Sequence, residues 1–292
     1  MRRHCLAAIL LFAASLSSVS AAAAGPPIRV MSLNQCADQI VLALVPPARI
    51  ASVTWLSRDP AGSLMTAAAR RVGVNHGAAE EVVAQNPDLV VAGSFTTPAT
   101  RSLLRQLGYP MIEVGSADSF ADIRRITRQV AAAVGETARA ELLIARMDRQ
   151  LAELARDPAP RLRVAAWDGG GFDAPAGSLY DAMLTAAGAI NVANEATATG
   201  YRAPDAEVLL KSAPALLVQG VAGIRHEVGP RDDVARHPVV RRIWRGRTLV
   251  ITPAYYICGT PFSADAALAL RDELRSAAAQ ARQPLDLRDA AR

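Results

Sequence analysis

Two glutamates stand at matching places in a phrase that this chain writes twice. "EEVVAQNPDLVVAG" occupies residues 80–93 and "EVLLKSAPALLVQG" residues 207–220, an offset of 127 (207 − 80). Aligned without a gap, Glu80 falls on Glu207, Pro87 on Pro214, Leu89 on Leu216, Val91 on Val218 and Gly93 on Gly220. A carboxylate opening each copy has two uses. It can stabilise the first turn of a helix by on the order of 0.5 kcal/mol, or it can meet a cationic partner.

Other reactive groups are sparse. "WDGGGFDA" (167–174) is glycine-rich but is neither GxGxxG nor GxxxxGK[ST], so a nucleotide cradle is a weak reading. Its glycines are better suited to close approach of a ligand to the backbone. Neither GxSxG nor HExxH occurs. His76, His226 and His237 are dispersed, and only His76 falls in a predicted strand-end loop. A zinc or manganese site built on them is an alternative, and a secreted α/β enzyme is another. Cys36 and Cys258 have no CxxC spacing. They are expected either to pair in an oxidising compartment or to remain as two free, partly buried thiols, the preferred reading.

These residues are positioned by alternating elements. Strands are expected at 28–33, 49–53 and 109–115, with helices at 36–45 and 97–108. The repeated phrase itself reads as helix, proline break, apolar strand and terminal glycine. The second half follows the same order: strand 162–171, helix 178–188, short strand 189–193, the phrase again, a helix near 231–244 and strand 247–253. Between the halves, residues 119–157 carry helical apolar spacing with a break at Gly135. Glu136–Arg156 would span roughly 31 Å as one helix. The fold class is therefore α/β: two Rossmann-like lobes with parallel sheets, joined by a long rigid backbone helix, with a ligand cleft between them. The expected division is 1–24, 25–118, 119–157 and 158–292.

In parallel sheets ligands bind beyond the carboxyl ends of the strands. The strand-end loops bring forward Asn34, Gln35, Trp55, Arg58, His76 and Phe95 on the first lobe. On the second they bring forward Trp167, Phe172, Tyr201, Arg202, Tyr255 and Tyr256. In a chain with only 3 Trp, 5 Tyr and 5 Phe, this grouping points to an apolar, flat-walled cleft for a bulky ligand. Arg58 and Arg202 are its candidate cations.

Residues 1–24 have the plan of a secretory signal peptide: a basic start, an apolar stretch and small residues before a cut near Ala24. Removing 24 of 292 residues leaves 268, enough for two domains. The formal net charge of +5 comes from arginines spread among acids, and the short "RRIWRGR" (241–247) is a weak basis for a nucleic-acid surface.

Leader, lobes, helical bar and the "E-x6-P-D-L-V" phrase together resemble a periplasmic substrate-binding protein of an ABC importer. Within that group they look like the class serving cobalamin, iron siderophores and haem. The resemblance runs from about Ile28 to Ala279. It implies a non-enzymatic monomer in the periplasm, without cofactor or resident metal, that delivers bound cargo to a permease dimer in the inner membrane. It also implies that Glu80 and Glu207, one on each lobe, dock into arginine pockets of that permease. An aromatic cleft with two cations favours a corrinoid such as cobalamin slightly over a ferric siderophore, with haem third. His76, Tyr255 and Tyr256 are the candidate axial ligands to a haem iron.

Overall fold

The computed structural model describes residues 25–168, 171–172, 174–198, 206–220 and 237–285. The expected leader, Tyr201, Arg202 and His226 lie outside the described residues.

The first sheet is wholly parallel. It is built from β1 (Val30–Ser32), β2 (Ile50–Thr54), β3 (Gly73–Asn75), β4 (Leu89–Gly93) and β5 (Met111–Val114), in the order β3-β2-β1-β4-β5. Helices α1 (Gln35–Leu44), α2 (Thr66–Ala69), α3 (Ala79–Gln85) and α4 (Pro98–Gln106) connect the strands. Successive strand residues face opposite sides, and both faces are covered. Val30 and Val91 pack with Ile40, Val41 and Leu44 of α1. Met31 and Val90 pack with Val82 of α3 and Leu104 of α4.

Two helices follow, α5 (Phe120–Val134) and α6 (Thr137–Arg156). Gly135 ends α5 at φ 76°, a conformation that glycine adopts without steric cost. At 20 residues, α6 is about 30 Å long.

The second lobe comprises β6 (Arg163–Asp168), β7 (Gly171–Phe172), α7 (Leu179–Ala186), β8 (Ile190–Asn191), α8 (Ala193–Ala198), α9 (Ala206–Ser212), β9 (Leu216–Gly220), α10 (Pro238–Ile243), β10 (Thr248–Ile251) and α11 (Ser263–Ala281). β8, β6, β9 and β10 pair in parallel in that order, while β7 turns back antiparallel on the end of β6. The order β8-β6-β9-β10 repeats β2-β1-β4-β5 of the first sheet. The repeat is exact at the phrase: α3 and α9 begin 127 residues apart (206 − 79), as do β4 and β9 (216 − 89).

The long C-terminal helix α11 was not among the elements expected from the sequence, and it ties the second lobe to the bar. Leu270 and Leu274 join the core with Val164, Val218 and Met183. Arg146 and Gln150 of α6 both reach Asp265, at 2.5 and 2.6 Å, and Arg271 reaches Glu153 at 2.8 Å. The bar also links the two cores. Ile123 of α5 and Met147 of α6 lie in the second-lobe core, whereas Ile126 and Val130 of α5 and Ala140 of α6 lie in the first.

Candidate functional site

A cavity of about 240 Å³ opens at the seam between the lobes. On the first-lobe side it is bounded by Asn34, Cys36, Phe95 and the loop 115–118; on the second, by Ser178, Tyr180 and Tyr256. Each side is built where a helix begins. Asn34 caps α1, its Oδ1 accepting the amides of Cys36 and Ala37 at 3.0 and 3.2 Å. Ser178 caps α7 in the corresponding place, its Oγ accepting the Asp181 amide at 3.2 Å. Gly93, the last residue of the first phrase, has its role here. A Cβ on it would lie 2.4 Å from the Asn34 side chain, so the strand end must be bare for the cap to sit against it.

The aromatic walls differ from one side to the other. Phe95 is 82 % exposed and projects from the first lobe. Opposite it, Tyr180 and Tyr256 stack with ring centroids 4.1 Å apart and planes within 9°. Cys36 and Cys258 are joined in a disulfide across the seam, which decides between the two outcomes left open and overturns the preference for free thiols. The reason is position: Cys36 opens α1 and Cys258 lies in the loop before α11, and their Cα atoms come within 4.8 Å.

Of the residues singled out by sequence, the structure brings Asn34, Phe95 and Tyr256 together around the cavity, with Cys36 beside them. The others are placed differently. Trp167 is fully buried in the second-lobe core beside Leu217 and Trp244, because its position in β6 turns it toward α9 and α10. Arg58 donates to the carbonyls of Ala69 and Val72, at 3.3 and 2.9 Å, and so fastens a loop within its own lobe. Gln35 donates to Gly62 O at 2.8 Å. Trp55 is 52 % exposed on a short 3-10 turn, away from the cavity lining. Tyr255 packs against the second-lobe core. The Phe172 side chain lies outside what is described.

His76 pairs with Glu81, Nδ1 to Oε1 at 3.1 Å, while Glu81 Oε2 accepts the amides of His76 and Ala78. Partial burial works against charge on Glu81, yet these hydrogen bonds outweigh it and hold the carboxyl below its usual range. Sequence reading missed Tyr180 and the loop 115–118. The loop follows β5, and the strand-end rule that found the other loops applies to it equally. Among the described residues, no group of three or more His, Cys, Asp and Glu is placed to hold a metal ion, and no helix is long and apolar enough to cross a membrane.

Residues 30–243 match the periplasmic binding protein family. The chain belongs to that family. A binding protein of this kind is not an enzyme, and the secreted-enzyme alternative falls with that assignment.

No curated protein sequence matches the binding protein. Several solved structures share its fold. The periplasmic haem-binding protein RhuT from Roseiflexus sp. RS-1 in apo form is 23 % identical, with a TM-score of 0.66 over 86 % of this chain and 98 % of that one. The periplasmic vitamin B12 binding protein BtuF of Vibrio cholerae is 15 % identical, with a TM-score of 0.61 over 88 % and 99 %. A protein of an ABC-type Fe3+-hydroxamate transport system from Saccharomonospora viridis is 20 % identical, with a TM-score of 0.61 over 85 % and 93 %.

In the binding protein both phrase glutamates are exposed in the first turn of their helices. Glu207 makes an i,i+4 ion pair with Lys211 at 2.9 Å, and both side chains remain more than two-thirds exposed. Such a pair is worth only about 0.3–0.5 kcal/mol, so a stronger partner would displace it.

Proposed function

We propose that this protein captures a metal chelate or corrinoid in the periplasm and delivers it to an inner-membrane ABC permease. The observation that carries the reading is the repeat: two matched lobes, each offering one exposed glutamate at the same point of its fold, on either side of an aromatic-walled cavity. A pseudo-twofold surface of this kind suits a permease of two similar subunits, each supplying one cationic pocket. Corrinoid cargo is the first choice, ferric siderophore the second and haem the third. Tyr256, backed by the buried Tyr180, and the exposed Phe95 provide apolar surface for such a ligand.

The test separates docking from capture. Replacing Glu80 and Glu207 together by Ala is expected to abolish permease-stimulated uptake in reconstituted vesicles while changing ligand affinity less than twofold. An equal fall in affinity would place the glutamates in the binding site or the fold and reject the docking role.

A further inference from the structure

We infer that the cleft selects chelates that are cationic or neutral over anionic ones, and that Asp118 is the residue that imposes this choice. The inference rests on the proposed capture of a chelate and adds its charge class.

Asp118 lines the cavity and is exposed to the solvent that fills it. It is the one charged residue among the described lining residues. Three polar side chains around it are already engaged. Asn34 Oδ1 caps α1, Ser178 Oγ caps α7, and Ser94 Oγ lies 3.5 Å from Val114 O. The Asp118 carboxylate makes no hydrogen bond or ion pair with any described residue. A ligand that fills the cavity takes this unpartnered carboxylate out of water, a cost that a cationic or hydrogen-donating ligand would offset and an anionic one would aggravate.

Two other fields oppose this one. The N-termini of α1 and α7 also face the cavity and favour negative charge, but the amides that an anion would meet are taken by Asn34 and Ser178. The chain as a whole is basic, at +5. That charge is distributed over the molecule and is screened beyond about 8–10 Å at ordinary salt. At contact distance the local carboxylate decides.

The experiment is a fluorescence-quenching titration of the mature protein with probes matched in shape and opposed in charge. Aquocyanocobinamide carries a positive charge on a ring bearing amides, and cobyrinic acid presents carboxylates on the same ring. Ferrioxamine B, cationic, and its N-succinyl derivative, anionic, form a second pair. In whichever pair binds, the cationic member is expected to bind at least about tenfold more tightly, the scale of one charge-assisted hydrogen bond. Asp118→Asn should narrow that preference about tenfold without moving the thermal midpoint, and Asp118→Glu should keep most of it.

Equal binding within a pair, a preference for the anion, or a preference that survives Asp118→Asn would overturn the inference while leaving chelate capture intact. If none of the four probes binds but haem, with its two propionates, does, the inference is overturned; if haem fails as well, the capture reading itself fails and takes this inference with it.

Discussion

Asp38 shows how much of one residue's behaviour depends on its surroundings. It sits in the first turn of α1, where the sequence reads only a favourable acid at a helix start. In the fold it is fully buried, and Oδ2 accepts from the Thr54 amide at 2.9 Å, Thr54 Oγ1 at 2.5 Å and Ser57 Oγ at 2.7 Å. Burial raises its pKa and these hydrogen bonds lower it; burial wins, and the carboxyl is pushed up to about 7. Below the unfolded pKa of 3.8 both states hold the proton; between there and about 7 only the folded chain does. The stability that Asp38 contributes is therefore fully present in acid and is lost as pH rises through about 7. Denaturant titrations at pH 5 and pH 8 should show wild type losing up to roughly 2.5 kcal/mol relative to Asp38→Asn over that interval. A difference that does not vary with pH would refute the buried-proton account. Asp118 was equally hidden in the sequence, where it precedes the Ser119 cap of α5 and passes for part of a helix start. Trp167 misled in the other direction, because an aromatic at a strand end can still belong to the inward face.

At the scale of elements, the repeat was legible because strand, proline and glycine punctuate it identically in both copies. The structure adds a detail that spacing alone does not reveal. α3 and α9 are each followed by a non-glycine residue in the left-handed region, Asn86 at φ 43° and Ala213 at φ 42°, again 127 apart (213 − 86). Each precedes a proline that cannot continue the helix. Asparagine tolerates this conformation; alanine does so at a cost of about 1 kcal/mol. Ala213→Gly should therefore stabilise the protein by about 0.5–1 kcal/mol in urea unfolding, and Asn86→Ala should destabilise it by a similar amount. No gain at position 213 would mean that the added chain entropy of glycine cancels the relieved strain. Helix α11 escaped sequence reading for the opposite reason. It belongs to neither copy of the phrase, and its partners on α6 are more than a hundred residues away.

For the molecule as a whole, the mutual angle of the lobes is held by two independent devices. The first is the bar: α5 and α6 each contribute to both cores, and Arg124–Asp148 and Arg128–Glu141, at 2.5 and 2.7 Å, join them side by side. The second is the disulfide, which spans 222 residues of sequence and crosses the seam at the cavity. Gly259 reinforces it, since a Cβ there would fall 2.5 Å from Ala117 of the other side. The bar was legible from its composition, but the pairing of the cysteines depends on where two loops meet. Closing so long a loop restricts the unfolded chain strongly, so the Cys36→Ser, Cys258→Ser double variant should lose about 3–5 kcal/mol of unfolding free energy. The cavity, at about 240 Å³, lies below the roughly 300–1,000 Å³ usual for small-molecule sites. A bulky chelate therefore has to part the lobes slightly to enter, and the staple opposes that movement. Stopped-flow exchange of a bound chelate should accordingly be several-fold faster in the double variant. If stability falls while the exchange rate stays the same, the shared cores of the bar alone set the opening, and the disulfide serves folding rather than the gate.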